Sequence, residues 1–287
     1  STGRLFYSCE TTELELLVSP NSLADDQADA DLVLNSIQRA YVTNISTLND
    51  RSADLTRIDY VGGRDYFAMF NSSTLDGTWS RFYSSTTVGG VANQGIGANV
   101  AALVALNENP DADFGFHVGV GKILQAHQLM LLVDFLGDIP WSEALNPIEF
   151  PSPNLDDDAT VYTAALTLLD DAIASLSASG DAPTAGAVTD FFYGGSAASW
   201  IRLANTLKMR HALTIGDTGA FNALVSAGNF IASSGQDFQF NYGTQLLNPN
   251  TRHPDYNADY TTSGANIYQS NWLMETMQGP DKNDASD

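Results

Sequence analysis

The recognition chemistry this chain offers most freely is aromatic. Tyr60, Tyr66, Tyr256 and Tyr260 lie among Gly, Asp, Asn and Pro residues, where exposure is expected. A flat exposed ring can stack on a sugar face or an apolar side chain. Tyr60, Tyr66 and Tyr256 are therefore the candidate ligand contacts. Trp79, Tyr83, Trp141 and Trp200 sit in helical or helix-end contexts and are expected in the core.

Other chemistry is thin. There is no Gly-x-Ser-x-Gly elbow, no Walker loop and no His-Glu-x-x-His. Gly115-x-x-x-Gly119-x-Gly121 has the look of a phosphate loop, but no strand precedes it and no Lys-Ser/Thr follows it. The histidines at 117, 127, 211 and 253 are too widely spaced for a local metal site, and His127 and His211 fall on apolar helix faces, as core histidines do. Asp156-Asp157-Asp158 lacks the alternating pattern of a calcium loop and reads as a helix cap. Asp134 and Asp138 could in principle serve glycoside hydrolysis, though at a helix end they more ordinarily bind backbone groups. No catalytic residue, metal or cofactor is expected.

Cys9, the single cysteine, rules out an internal disulfide and a thiolate cluster. Two readings stand for it. One is a free thiol near the terminus; the other is a lipid-attachment cysteine after the apolar Leu5-Phe6-Tyr7-Ser8, with polar Glu10–Glu15 as tether.

The elements that must position these groups are helices. At 287 residues and 44% apolar content the chain can bury a sizeable core. Its net charge of −22 argues against nucleic acid, which needs clustered Lys and Arg. The uncharged stretch 82–107 has the length to cross a bilayer of roughly 30 Å, but Ser, Thr, Asn, Gln and Gly interrupt it, so it reads as a loop entering a small-residue helix.

Apolar spacing predicts a first helix over 29–48, another holding Trp79 and Tyr83, and a mostly apolar one from Phe116 that stops near Leu136. Gly137 suits the left-handed position after that stop, and Pro140 bars continuation. Prolines at 147, 151 and 153 forbid regular structure before a helix opened by 156–158, and residues 177–187 read as loop. A helix from about Ser196 puts Trp200, Leu203, Ala204, Leu207 and His211 on one side, with Lys208 and Arg210 complementing its C-terminal dipole. A short helix over 220–233, a brief strand over 238–242, irregular chain over 248–264 and a last helix over 270–277 complete a mainly α reading.

The wording of two segments is more specific than their periodicity. Leu132-Val133-Asp134-Phe135-Leu136-Gly137-Asp138-Ile139-Pro140-Trp141-Ser142-Glu143-Ala144 and Trp200-Ile201-Arg202-Leu203-Ala204-Asn205-Thr206-Leu207-Lys208-Met209-Arg210-His211-Ala212 resemble signatures of SusD/RagB-like outer-membrane lipoproteins. Trp79-x-x-x-Tyr83, Phe192-Tyr193-Gly194-Gly195 and His253-Pro254-x-Tyr256 fall in the matching order, the last resembling the SusD-like 2 branch.

The resemblance implies a tetratricopeptide-like helical-repeat scaffold with long irregular loops. It further implies a surface-exposed, non-enzymatic lipoprotein on the extracellular face of the outer membrane. Such a protein caps a SusC-like TonB-dependent β-barrel and delivers an oligosaccharide or peptide nutrient for import. Cys9 would carry the lipid, the only membrane attachment, with 1–28 as tether and 29–287 as the helical domain. Relatives run beyond the final helix, so that domain is expected to lack its C-terminal part. A secreted α-helical glycoside hydrolase and a helical-repeat protein-interaction scaffold are the alternatives from other classes.

Overall fold

Helix periodicity over residues 115–136 leaves almost no polar stripe, and the chain answers by surrounding that helix. The computed structural model describes residues 29–60, 70–84, 87–88, 91–92, 95–183, 190–247, 251–261, 264–265 and 267–279. Among them the helices are α1 (Ala30–Leu55), α2 (Asp76–Tyr83), α3 (Ile96–Asn107), α4 (Gly115–Leu136), α5 (Asp158–Ser179), α6 (Ala197–Thr214), α7 (Thr218–Ala227), α8 (Pro254–Asp259) and α9 (Asn271–Gln278). A two-residue hairpin pairs β1 (Thr87–Val88) with β2 (Val91–Ala92). The mainly α expectation holds. Cys9 and Tyr66 lie outside the described residues.

α4 is the axis, packed against α1, α3, α5 and α6. Phe116, Val120, Ile123, Leu124, Leu129 and Leu132 are all but fully buried. It stops at Leu136, and Gly137 follows at φ 76° with its N–H donated to Val133 O. The positive φ is as expected, but ψ of −124° is not the left-handed helical value. It turns the chain into the extended 138–141 stretch, where Ile139 pairs with Asp156 through two backbone hydrogen bonds.

The three acids before α5 divide their labour. Asp157 caps Ala159 N–H, and Asp158 opens the first turn. Asp156 instead accepts from Trp141 N–H, Ser142 N–H and Ser142 Oγ–H at 2.7–2.9 Å. Desolvation pushes its carboxyl upward, but those hydrogen bonds outweigh it and hold the pKa below the usual range. The Gly137–Ala144 signature is thus scaffold.

Four expectations are corrected. α1 runs on to Leu55, and its late Thr47 and Ser52 spend their hydroxyls on carbonyls four residues earlier. α5 extends through Ser179, whose hydroxyl bonds Ser175 O, into the stretch read as loop. The irregular 248–264 stretch contains the six-residue α8, which His253 caps by accepting from Asp255 N–H with Pro254 at the first helical position. Residues 238–242 form no strand: among the described residues no strand pairs with them, and their aromatic side chains pack on one another and on Phe192.

Candidate functional site

Between α1, the C-terminal half of α4, α6 and the 238–242 segment the structure leaves a groove of about 440 Å³. One wall is aromatic. Phe192 stacks on Phe238 with ring centroids 4.3 Å apart, Phe240 meets Phe192 at 5.8 Å, and Tyr242 stands edge-on to Phe240 at 4.9 Å and to His253 at 4.5 Å. The opposite wall is Val42, Ile45 and Leu48 of α1 with Leu131 and Phe135 of α4. Apolar faces with few polar groups at the base suit an organic ring system.

The wall stands where it does because of one carboxylate. Asp190 Oδ1 accepts from the N–H groups of Phe192 and Tyr193 at 2.9 and 3.2 Å, and Oδ2 accepts from Gly195 N–H and the Trp200 indole N–H, both at 2.8 Å. The Phe192–Gly195 turn is thereby fixed to Trp200 of α6, a fully buried side chain. Gly194 and Gly195, at φ 61° and 93°, supply the backbone that the turn requires. Phe191 N–H donates to buried Gln38 Oε1 of α1. The segment leading to Phe238 is held by α6: Asn205 Nδ2 donates to Asn229 O, and Ile231 N–H donates to Thr206 Oγ1.

At the base runs a polar chain across four helices. Tyr41 Oη lies 2.6 Å from His127 Nδ1, His127 Nε2 lies 2.8 Å from Arg210 Nη1, and Arg210 Nη2 reaches Asp134 Oδ2 at 3.3 Å. Tyr162 Oη donates to the other oxygen of Asp134. Burial, reinforced by the neighbouring Arg210 charge, lowers His127 to about 3, so it is neutral at physiological pH. Burial holds the Tyr41 phenol far above its ordinary value, so it keeps its proton.

The residues singled out in the sequence are distributed otherwise. Tyr60 and Tyr256 are exposed as expected, at 60% and 54%. Tyr60 N–H donates to Tyr268 O, while the Tyr256 ring stacks on Tyr260; neither ring lines the groove. Trp200 is in the core, whereas Trp79 and Trp141 are half-buried. Asp134 and Asp138 do not face the groove as a pair, for Asp134 is held by Arg210 and Tyr162 and Asp138 accepts from Asp158 N–H. The exposed carboxylates of Asp138, Asp157 and Asp158 converge, but Asp157 caps α5 and Asp138 serves that same first turn.

Sequence reasoning missed Asp190, placed His127 among ordinary core histidines, and took Arg210 for a dipole partner. The available signal was the alternation Phe238-x-Phe240-x-Tyr242 together with Arg210 and His211 ending a signature motif.

Next to the groove, partial burial and the facing Asp255 carboxylate push the Asp50 carboxyl up to about 6, against Arg51 and His253, which pull it down. An acid whose folded pKa exceeds its unfolded value of 3.8 binds protons more tightly in the fold, so stability rises as pH falls from about 6 toward 4. Asp50→Asn is expected to flatten that part of the curve and to raise the melting temperature slightly at pH 7. An unchanged slope in thermal melts across pH 4–7 would contradict the assignment.

Known proteins match the chain at the level of family and fold. The family model SusD-like_2, described as starch-binding associating with outer membrane, matches residues 26–283. A SusD homologue from Bacteroides fragilis superposes with a TM-score of 0.59 at 17% identity, over 88% of this chain and 50% of that one. A SusD/RagB family protein from Bacteroides thetaiotaomicron gives 0.55 at 21% identity, over 85% and 50%. A homologue from Bacteroides uniformis gives 0.55 at 20%, over 76% and 46%. The chain spans about half the length of these structures or less. No curated protein matches it.

Proposed function

We propose that this chain, which belongs to the SusD-like family, captures an oligosaccharide in the aromatic groove and passes it to an outer-membrane transporter rather than transforming it. The observation that carries the reading is the groove itself, a wall of Phe192, Phe238, Phe240 and Tyr242 beside a polar base that runs from buried Tyr41 to exposed Arg210. Sugar rings present apolar C–H faces and hydroxyl edges, and this pairing of surfaces meets both. The family description, starch-binding with association to the outer membrane, agrees with it.

In this reading Cys9 carries a lipid that tethers the protein to the extracellular face of the outer membrane. The helical scaffold caps a SusC-like TonB-dependent barrel, opening by a hinge-type motion. The exposed Tyr60 and Tyr256 act as outlying stacking faces that gather ligand before it settles, and Tyr66 is a further candidate ligand contact.

Calorimetric titration of the purified protein with maltohexaose and chitohexaose tests the capture step. Saturable binding is expected to one of them, weakened about 10- to 100-fold in the double variant Phe240→Ala/Tyr242→Ala, since each lost stacking partner costs on the order of 1 kcal/mol beyond its buried area. Wild-type affinity in that variant, or no saturable binding by the wild type, would sink the groove as the capture site. Co-purification of a β-barrel from outer membranes tests the capping step.

A further inference from the structure

Arg210 constrains more than its own position. A guanidinium has five N–H donors and no acceptor, so its contact with His127 Nε2 at 2.8 Å requires Nε2 to be the acceptor nitrogen. Neutral imidazole carries one proton, and with Nε2 bare that proton sits on Nδ1. Nδ1–H then donates to Tyr41 Oη across 2.6 Å. The phenol oxygen is used as an acceptor, and its own O–H cannot point at His127. Among the described residues that hydroxyl has no other partner, and it lies at the groove, with Tyr41 only 3% exposed. A buried donor without an acceptor is costly, and a ligand oxygen placed there removes the cost.

We propose that Tyr41 is the hydrogen-bond donor that fixes an uncharged saccharide in the groove, and that the Arg210–His127 pair holds it in donor mode. The inference rests on the capture reading above and names the chemistry of that same site. The ligand is uncharged because the guanidinium at the base already has its charge paired with Asp134. Arg210 divides its nitrogens between His127 and Asp134, and an anion would meet a chain of net charge −22. The oxygen that Tyr41 meets is a hydroxyl, ring or amide carbonyl oxygen, while the rings of Phe192, Phe240 and Tyr242 cover the sugar face. His127 and Arg210 are positioning residues: they act on the ligand through the direction of the Tyr41 proton.

Two measurements test this. Long-range proton–nitrogen correlation on protein labelled with ¹⁵N-histidine reads the tautomer without any ligand, the His127 signals being identified by their loss in His127→Gln. The Nδ1–H form is expected in wild type and Arg210→Lys, and a shift toward Nε2–H in Arg210→Met. Titration with maltohexaose and chitohexaose should show Tyr41→Phe binding about 10-fold more weakly than wild type. Arg210→Met should weaken binding similarly although Tyr41 is intact, and Arg210→Lys should restore it. An Nε2–H wild type, or a Tyr41→Phe variant that binds as wild type does, overturns this inference and leaves the capture reading standing. A wild type that binds neither sugar overturns both.

Discussion

Replacing Asp190 by alanine is expected to cost about 3–5 kcal/mol of unfolding free energy. Four donors converge on that carboxylate: three backbone N–H groups of the Phe192–Gly195 turn and the Trp200 indole. Each donor stranded away from water costs roughly 1–3 kcal/mol, and some of the backbone groups, in a half-buried turn, recover part of that from solvent. Trp200 has no such relief, being fully buried. For a domain of this size the loss corresponds to a melting temperature lower by about 6–20 °C. Asp190→Asn keeps one acceptor oxygen and should recover a fraction of the loss, whereas an alanine variant melting within 2 °C of wild type would refute the assignment. Because Asp190 aims Phe192 at Phe238, the alanine variant should also lose oligosaccharide affinity at temperatures where it remains folded.

That carboxylate shows where sequence reading reached and where it stopped. Helices α4, α5 and α6 are legible because burial on several sides writes itself as apolar spacing, and their ends carry recognisable punctuation: Gly137 after α4, Asp157 before α5, Ser196 before α6. The family resemblance is legible in two signature segments whose residues turn out to be joints. Asp156 ties down Trp141 and Ser142, and Trp200, Asn205 and Thr206 hold the chain that forms the groove wall.

The site is another matter, because its members share no spacing: Tyr41, His127, Arg210 and Phe240 meet only after four separate stretches have packed. Exposure of Tyr60 and Tyr256 could be read from their neighbours, but exposure does not reveal which rings share a cavity. Local context also misassigned the partner of Arg210. A cation late in a helix suits the dipole, and nothing in α6 alone announces a histidine on α4 at 2.8 Å.

The glycines of α4 make the same point with a measurable consequence. Their spacing superficially suggested a phosphate loop; in the fold they are contact points between helices. A Cβ on Gly119 would stand 2.5 Å from Leu176 Cγ of α5, and one on Gly115 would stand 2.9 Å from Ser179 Cβ. On Gly121 the nearest atom, Val100 Cγ2, would be 3.3 Å away, so that side chain would have to give by a few tenths of an ångström. Helix propensity alone favours Gly→Ala by about 1 kcal/mol at Gly119 and Gly121, inside the helix.

Gly119→Ala is nevertheless expected to destabilise by about 1–3 kcal/mol, because α4 and α5 must separate or Leu176 must leave its rotamer. Gly121→Ala should cost less than Gly119→Ala, because Val100 need shift only a few tenths of an ångström. Leu176→Ala alone opens a cavity and costs about 2–5 kcal/mol. In the double variant Gly119→Ala/Leu176→Ala the new methyl group occupies part of that cavity, so its loss should fall short of the sum of the single losses by at least 1 kcal/mol. Denaturant unfolding of the four variants reads all of these terms, and additive losses would mean that the close approach of α4 to α5 at Gly119 is not what that glycine provides.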